Sequence, residues 1–197
     1  MVVDKPAGLL AVPGRGEAGR DCLASFVQQS FPDALVVHRL DMATSGLMLF
    51  ARGAIVQRAL SMAFERREVG KRYVAVVGGL LEADAGRIDV PLAADWPNRP
   101  RQRVDAEGGK PSLTRWRVLA RDVAARRTRL ELEPVTGRSH QLRVHLAHIG
   151  HPIVGDALYA PPGLAAASPR LLLHACRLAF VHPSNGESLS FDSRPAF

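Results

Sequence analysis

The apolar residues of this chain come in short runs, each closed by glycine, proline or a charged turn, and that punctuation limits the fold more than any other feature. Runs of this length suit buried strands better than long helices, and none reaches the roughly 18 residues that a bilayer-crossing helix needs. Two apolar stretches, Val2-Val3 and Gly8–Val12, are broken by Lys5-Pro6-Ala7-Gly8 and closed by Pro13-Gly14-Arg15-Gly16, which reads as strand, turn and loop. Leu35–Val37 and Leu47–Ala51 read as strands on either side of a polar loop, and Arg72–Val77 as another ended by Gly78-Gly79. Thr114–Ala120 and Thr128–Glu133 alternate like half-exposed antiparallel strands, and Leu171–Ala175 and Ser188–Phe191 complete the set. Helices are expected over 21–30, over 54–67 with Ile55, Leu60, Met62, Ala63 and Phe64 inward, and over 140–149 with Leu142, Leu146 and Ile149 inward. Strands outnumber helices without βαβ alternation, so the expected class is α+β, a mixed, largely antiparallel central sheet with flanking helices and loops. There is no internal repeat or interdomain linker, and 197 residues make one domain the default.

Composition is that of a globular protein with a packed core, at 47% hydrophobic and 23% charged residues. The N-terminus lacks the apolar core of a signal peptide, which leads to a cytoplasmic expectation. Cys22 and Cys176 form no C-x-x-C pair and read as buried small apolar residues. The net charge of +7 is mostly local. From Asp95 to Arg129 ten basic residues stand against four acidic ones, a surplus of six that includes Arg99, Arg101 and Arg103. Such a surface concentrates a polyanion, and arginine's forked donors suit phosphate oxygens, although a merely solvated basic face explains the charge equally well.

Two stretches are dense in polar groups. His38-Arg39-Leu40-Asp41-Met42-Ala43-Thr44-Ser45-Gly46 lies between apolar runs, where polar groups are costly unless they pair or act on a ligand. Asp41 reads as a nucleophile, a general base or a loop cap, the cap being the commonest outcome for such an aspartate. In Thr136-Gly137-Arg138-Ser139-His140-Gln141-Leu142-Arg143, Thr136 or Ser139 is placed to cap the following helix. Arg138, His140 and Gln141 are natural donors to phosphate or sugar there, and Arg143, one turn on, is placed to pair with an inward carboxylate. His140, His145, His148 and His151 lack the cysteines or carboxylates that zinc sites usually add, so no metal is expected. A glycosidase would need a second carboxylate beside Asp41, for which Asp156 is a weak candidate. Gly14-x-Gly16 and Gly78-Gly79 lack the rest of any nucleotide fingerprint, so no cofactor is expected.

His38-Arg39-Leu40-Asp41 followed by Thr44-Ser45-Gly46 resembles the signature of the RluA family of pseudouridine synthases. In the same order as the family come Lys5-Pro6-x-Gly8-Leu9, Lys71-x-Tyr73-x-Ala75, Thr136–His145, Gly150-His151-Pro152-Ile153-x-Gly155-Asp156 and Leu173-His174-Ala175, motifs that span nearly the whole chain. Asp95–Pro100 and the overall length are most similar to members acting on both tRNA and 23S ribosomal RNA. The resemblance implies the pseudouridine synthase fold and the isomerisation of specific uridines in structured RNA, a tRNA anticodon stem-loop or a 23S hairpin, without cofactor or metal. It implies Asp41 as the catalytic carboxylate, Tyr73 as the aromatic over the target base, Arg143 as the ionic partner of Asp41, and Arg39 as the residue filling the space left by the extruded base.

Family members commonly carry residues before the Lys-Pro-x-Gly-Leu turn, often a strand and sometimes an S4-like domain, whereas this chain reaches that turn almost at once. The expectation is one catalytic domain over 1–197 with no S4-like domain and an N-terminus that is shortened or misassigned. RNA affinity then falls to the basic stretch, with Arg99, Arg101 and Arg103 on a gripping loop, in a monomer that has no membrane partner. The competing class is a catalytically silent RNA-binding or RNA-folding protein on the same fold, against which an intact set of Asp41, Tyr73 and Arg143 argues.

Overall fold

The computed structural model describes residues 1–14 and 21–197, so part of the expected Pro13–Gly16 turn lies outside the described residues, as does Gly16 of the Gly14-x-Gly16 pair. It divides into two compact units, Met1–Lys71 with His174–Ala196, and Arg72–Leu173 with Phe197.

The first unit is organised around β3 (Ser45–Arg52), the continuous apolar run of the sequence, buried at every position but the last. β1 (Val2–Lys5) lies antiparallel to it, with Lys5 opposite Gly46. β2 (Ala34–Val36) pairs with its far end. β10 (Leu173–Val181) runs parallel to it at Ser45 and Gly46, and β11 (Ser188–Asp192) lies antiparallel to β10. α1 (Leu23–Ser30) is capped by the buried Cys22, whose sulfur accepts the Ser25 N–H at 3.4 Å. α2 (Ala54–Glu65) closes the core. Leu60 with Val56, Ala63 and Phe64 covers Leu47, Leu49, Ala51, Leu178 and Phe180. The phase of α2 departs from the sequence reading, since Ile55 is 88% exposed and Met62 is also exposed. Positions 56, 60, 63 and 64 recur at the i, i+4, i+7, i+8 spacing of one stripe, which leaves 55 and 62 off it.

The chain passes into the second unit within β4 (Gly70–Gly78). There β4 pairs with β9 (Arg127–Pro134), β9 with β8 (Leu113–Asp122), and β8 with β5 (Ala85–Asp89), every pair antiparallel. β9 alternates strictly, with Thr128, Leu130, Leu132 and Pro134 buried. A small hairpin of β6 (Leu92–Ala94) and β7 (Gln102–Val104) follows β5. Sequence patterning misses these three short strands, because β5 buries only Ile88 and β6 and β7 offer three residues each. α3 (Gln141–His148) and the short α4 (Pro162–Ala165) complete the unit. Of the strand pairs described above, that of β3 with β10 is parallel and the others are antiparallel, so the mixed, largely antiparallel α+β arrangement is present.

Candidate functional site

The loop joining β2 to β3 carries Asp41, and its geometry follows from alternation. His38 turns inward, Arg39 is exposed, Leu40 is buried and Asp41 is half-buried. The His38 ring stacks on Phe64 at 4.5 Å, and its Nε2 accepts the Leu49 N–H at 2.9 Å. Burial, reinforced by the positive Lys71, lowers its pKa to about 3, so His38 is a neutral acceptor. On the other flank, Met42 O receives the Gly8 N–H at 2.9 Å and the Lys5 ammonium at 3.0 Å. Lys5 is fully buried, and its Nζ also donates to Pro6 O at 2.9 Å and Leu9 O at 2.7 Å. The first turn of the chain thus clamps the backbone next to Asp41.

At the end of the loop, Thr44 N–H donates to Asp41 O at 3.1 Å and Ser45 begins β3. Gly46 has φ 114, and a Cβ there would stand 2.3 Å from Ala175 O, so only glycine lets β3 approach β10 at this point. Ser45 is buried and bonds His174 Nδ1 at 2.9 Å. His174 Nε2 in turn meets Ser193 Oγ at 3.0 Å, and Ser193 donates its proton to Asp4. The direction of this row follows from its end. Because Ser193 gives its single proton to a carboxylate, it accepts from His174 Nε2–H, and His174 Nδ1 accepts from Ser45. The expected Leu173-His174-Ala175 motif thereby fixes the base of the Asp41 loop.

In the second unit Tyr73 stands on β4 opposite Leu132, half-buried. α3 is buried nearly all round, including Gln141, Arg143 and His145. The guanidinium of Arg143 forks onto the buried carboxylate of Asp156, Nε to Oδ2 at 2.8 Å and Nη2 to Oδ1 at 2.7 Å. Asp156, weighed in the sequence as a second glycosidase carboxylate, is the carboxylate that holds this arginine. Gln141, expected as a donor to RNA, is 3% exposed and its amide is committed inside the protein. Its Oε1 accepts from Thr136 Oγ1 at 2.7 Å and Arg138 N at 3.0 Å, and its Nε2 donates to Leu113 O and Thr114 Oγ1, both at 3.0 Å. Neither Thr136 nor Ser139 caps α3. The N-cap is His140, in the left-handed region at φ 53, with no side-chain cap, because Thr136 is held by Gln141. Arg138 and Ser139 are exposed beside it.

Three of the four histidines between His140 and His151 bond separate protein groups. His140 Nδ1 meets Tyr159 Oη at 2.6 Å, and His151 Nδ1 meets Gly78 O at 2.9 Å. His145 donates from Nε2 to Val90 O at 3.2 Å and accepts from Thr114 at Nδ1. Burial lowers the His145 pKa to about 4, against the opposing pull of the Val90 carbonyl. Since His38 and His145 are neutral when folded but titrate at 6.5 when free, the unfolded chain binds more protons below that pH. Their contribution to stability is complete above pH 6.5 and is lost as pH falls toward 4 and then 3, by at most ~1.4 kcal/mol per pH unit for each group. Thermal melts at about pH 7 and about pH 5 should show this loss, and His145→Gln should make it shallower. An equal loss in the variant would remove His145 from the account.

Arg99, Arg101 and Arg103 are exposed on and beside the β6–β7 loop. Asp95 N–H bonds Arg101 O at 3.0 Å to close that loop. Arg99 lies over the exposed Trp96 ring with its Cζ 3.7 Å from the centroid, and Arg103 pairs with Asp105 at 3.1 Å. The polar contacts of Tyr159 and the row from Ser45 to Asp4 are what sequence reasoning misses. Their partners are remote in sequence, and the Gly150–Asp156 and Leu173-His174-Ala175 motifs are their local trace.

A family model described as RNA pseudouridylate synthase matches residues 1–148. The dual-specificity RNA pseudouridine synthase RluA of Pasteurella multocida is 51% identical over 197 residues, covering 100% of this chain and 90% of the relative. The enzyme of the same name from Escherichia coli is 49% identical over 198 residues, with the same two coverages. Among solved structures, human RNA pseudouridylate synthase domain containing 1 superposes with a TM-score of 0.84 at 27% identity, covering 100% of this chain and 80% of that one. Human RNA pseudouridylate synthase domain containing 4 shares the fold with a TM-score of 0.78 at 24% identity, covering 98% of this chain and 84% of that one.

Proposed function

We propose a catalytic assignment for a chain that belongs to the RNA pseudouridylate synthase family, and within it to the RluA enzymes. The protein isomerises uridine to pseudouridine in RNA. In our reading Asp41 is the catalytic carboxylate, Tyr73 the aromatic over the target uracil, Arg143 the ionic partner of Asp41, and Arg39 the residue that takes the place of the extruded base. The observation that carries this reading is the Asp41 loop itself, clamped by a buried lysine on one flank and by a neutral, buried-facing histidine on the other, with Arg39 exposed between them.

The reaction balances within the substrate. The bond from ribose C1′ to uracil N1 breaks, the ring turns, a bond from C1′ to C5 forms, and a proton leaves C5 while one arrives on N1. Nothing is oxidised and no group is lost, so no redox partner is called for. An ionised aspartate is needed either to bond C1′ or to take a proton from the ribose. Extrusion of the nucleotide costs a few kcal/mol, which a planar guanidinium stacking into the vacated space offsets.

We read the substrates as both a tRNA anticodon stem-loop and a 23S ribosomal RNA hairpin, by analogy with the relatives' name and their identity over the whole chain. The chain is read as a monomeric single catalytic domain acting in the cytoplasm, and no helix among the described residues is long and apolar enough to cross a membrane. The β6–β7 loop with Arg99, Arg101 and Arg103 grips phosphates, with Arg138 and His140 as further contacts, while Gln141 holds the segment that presents them. The test uses both RNAs, each carrying tritium at uridine C5. Each should release tritium and each should compete with the other. Release from one alone would remove dual specificity, and release from neither would remove the assignment. Reversing the charge at Arg99, Arg101 and Arg103 should weaken RNA binding and reduce the salt slope by up to about 0.9 per lost phosphate contact. Unchanged binding would take these residues out of the interface.

A further inference from the structure

Tyr159 joins the two parts of this proposed machinery that lie in the second unit. Its own turn is built on Asp156, whose Oδ1 accepts the N–H groups of Leu158 at 3.0 Å and Tyr159 at 3.2 Å while the same carboxylate forks onto Arg143. The phenol ring stands beside that pair, with Arg143 Cζ 5.1 Å from its centroid and Arg101 Cζ at 5.4 Å. Both distances lie within cation–π range. The hydroxyl faces other partners. It accepts the Gln102 N–H at 2.8 Å, at the start of β7 where the basic loop ends, and it shares a 2.6 Å hydrogen bond with His140 Nδ1. His140 is the left-handed residue at the start of α3, a conformation that a non-glycine residue keeps only when its surroundings hold it. The hydroxyl therefore faces only the loop and His140, whereas the ring faces the arginine proposed to serve Asp41 and, on the loop, Arg101.

We propose that Tyr159 is a positioning residue with two separable tasks, its hydroxyl setting the RNA-gripping loop and His140, its ring bracing the Arg143–Asp156 pair. The inference rests on the functional reading above. Tyr159 is not a catalytic acid or base in this account, since its hydroxyl is engaged by two protein groups. The coupling makes the pose of Arg143 depend on the same side chain that holds the loop on the RNA, which lets correct capture favour chemistry.

The experiment compares wild type, Tyr159→Phe and Tyr159→Leu by tritium release from uridine C5, under single turnover across a titration of a tRNA anticodon stem-loop. Tyr159→Phe keeps the ring and loses the hydroxyl, so the half-saturating RNA concentration should rise about tenfold while the saturated rate stays within about twofold. Tyr159→Leu loses both, and with the ring its contact to Arg101, so a binding loss at least as large should be joined by a fall in the saturated rate of about 100-fold, the scale of a small misplacement of a catalytic group. A purely structural role would lower the melting temperature and move both parameters together in both variants. Should Tyr159→Leu fail to fold, Tyr159→Phe decides alone. A wild-type RNA dependence in Tyr159→Phe, or a saturated rate as low as that expected of Tyr159→Leu, overturns the inference while leaving the functional reading in place. A silent wild type overturns both.

Discussion

Arg143→Met is expected to cost the fold about 3–5 kcal/mol, because it leaves the buried carboxylate of Asp156 without its forked cation. The pair is nearly inaccessible, with 6% of the arginine side chain and none of the aspartate side chain exposed, so water cannot replace the lost donors. Neutralising the partner should reverse much of that cost. In Arg143→Met with Asp156→Asn, the asparagine oxygen still accepts from Leu158 and Tyr159, and the unpaired charge of Asp156 is gone, so urea unfolding should recover about half of the lost stability. Turnover should not recover. If Arg143 also serves Asp41, both variants should stay about 100-fold or more below wild type in tritium release at saturating RNA. Recovery of turnover along with stability would reduce Arg143 to a structural role.

Asp41→Asn is the prediction with the largest effect on chemistry. The amide keeps the size of the side chain but can neither bond the ribose carbon nor take a proton, so the saturated rate should fall by about 10⁴-fold or more. The clamps of Lys5 on Met42 O and of His38 on Leu49 stay in place in this variant, so the loop should survive the substitution. RNA affinity should accordingly stay within about threefold of wild type in filter binding, since one neutralised carboxylate removes no phosphate contact. A variant that loses affinity and rate together would make Asp41 a structural residue of the loop.

The parts of the molecule that the sequence discloses are those with local causes. β3 is legible because Leu47–Ala51 is one apolar run, and the Asp41 loop because a polar cluster between two buried strands demands partners. The glycine in Thr44-Ser45-Gly46 has a structural reason in the close passage of Ala175, though only pairing with β10, formed from residues far down the chain, exposes it. α2 is found but its phase is not, since Ile55 and Met62 are as apolar as the residues that do face the core. α3 is found, with Leu142 and Leu146 buried as read, but the burial of its polar residues is not legible. Its polar residues are buried, and each is satisfied by a partner that no spacing rule supplies, Gln141 by Thr136 and Thr114, Arg143 by Asp156, His145 by Thr114 and Val90. Reading Gln141 as an RNA donor follows from its neighbours at a helix start, and burial turns it inward. The link from Tyr159 to Gln102 spans 57 positions and leaves no mark on either segment.

The central claim is that this chain makes pseudouridine with Asp41. It is tested most directly by incubating wild type and Asp41→Asn with the same tRNA and 23S fragments and analysing the digested RNA for pseudouridine by mass spectrometry after carbodiimide labelling. The account predicts pseudouridine with wild type and none above background with Asp41→Asn at equal RNA occupancy. Pseudouridine formed by Asp41→Asn at the wild-type rate, or by neither protein, would contradict it.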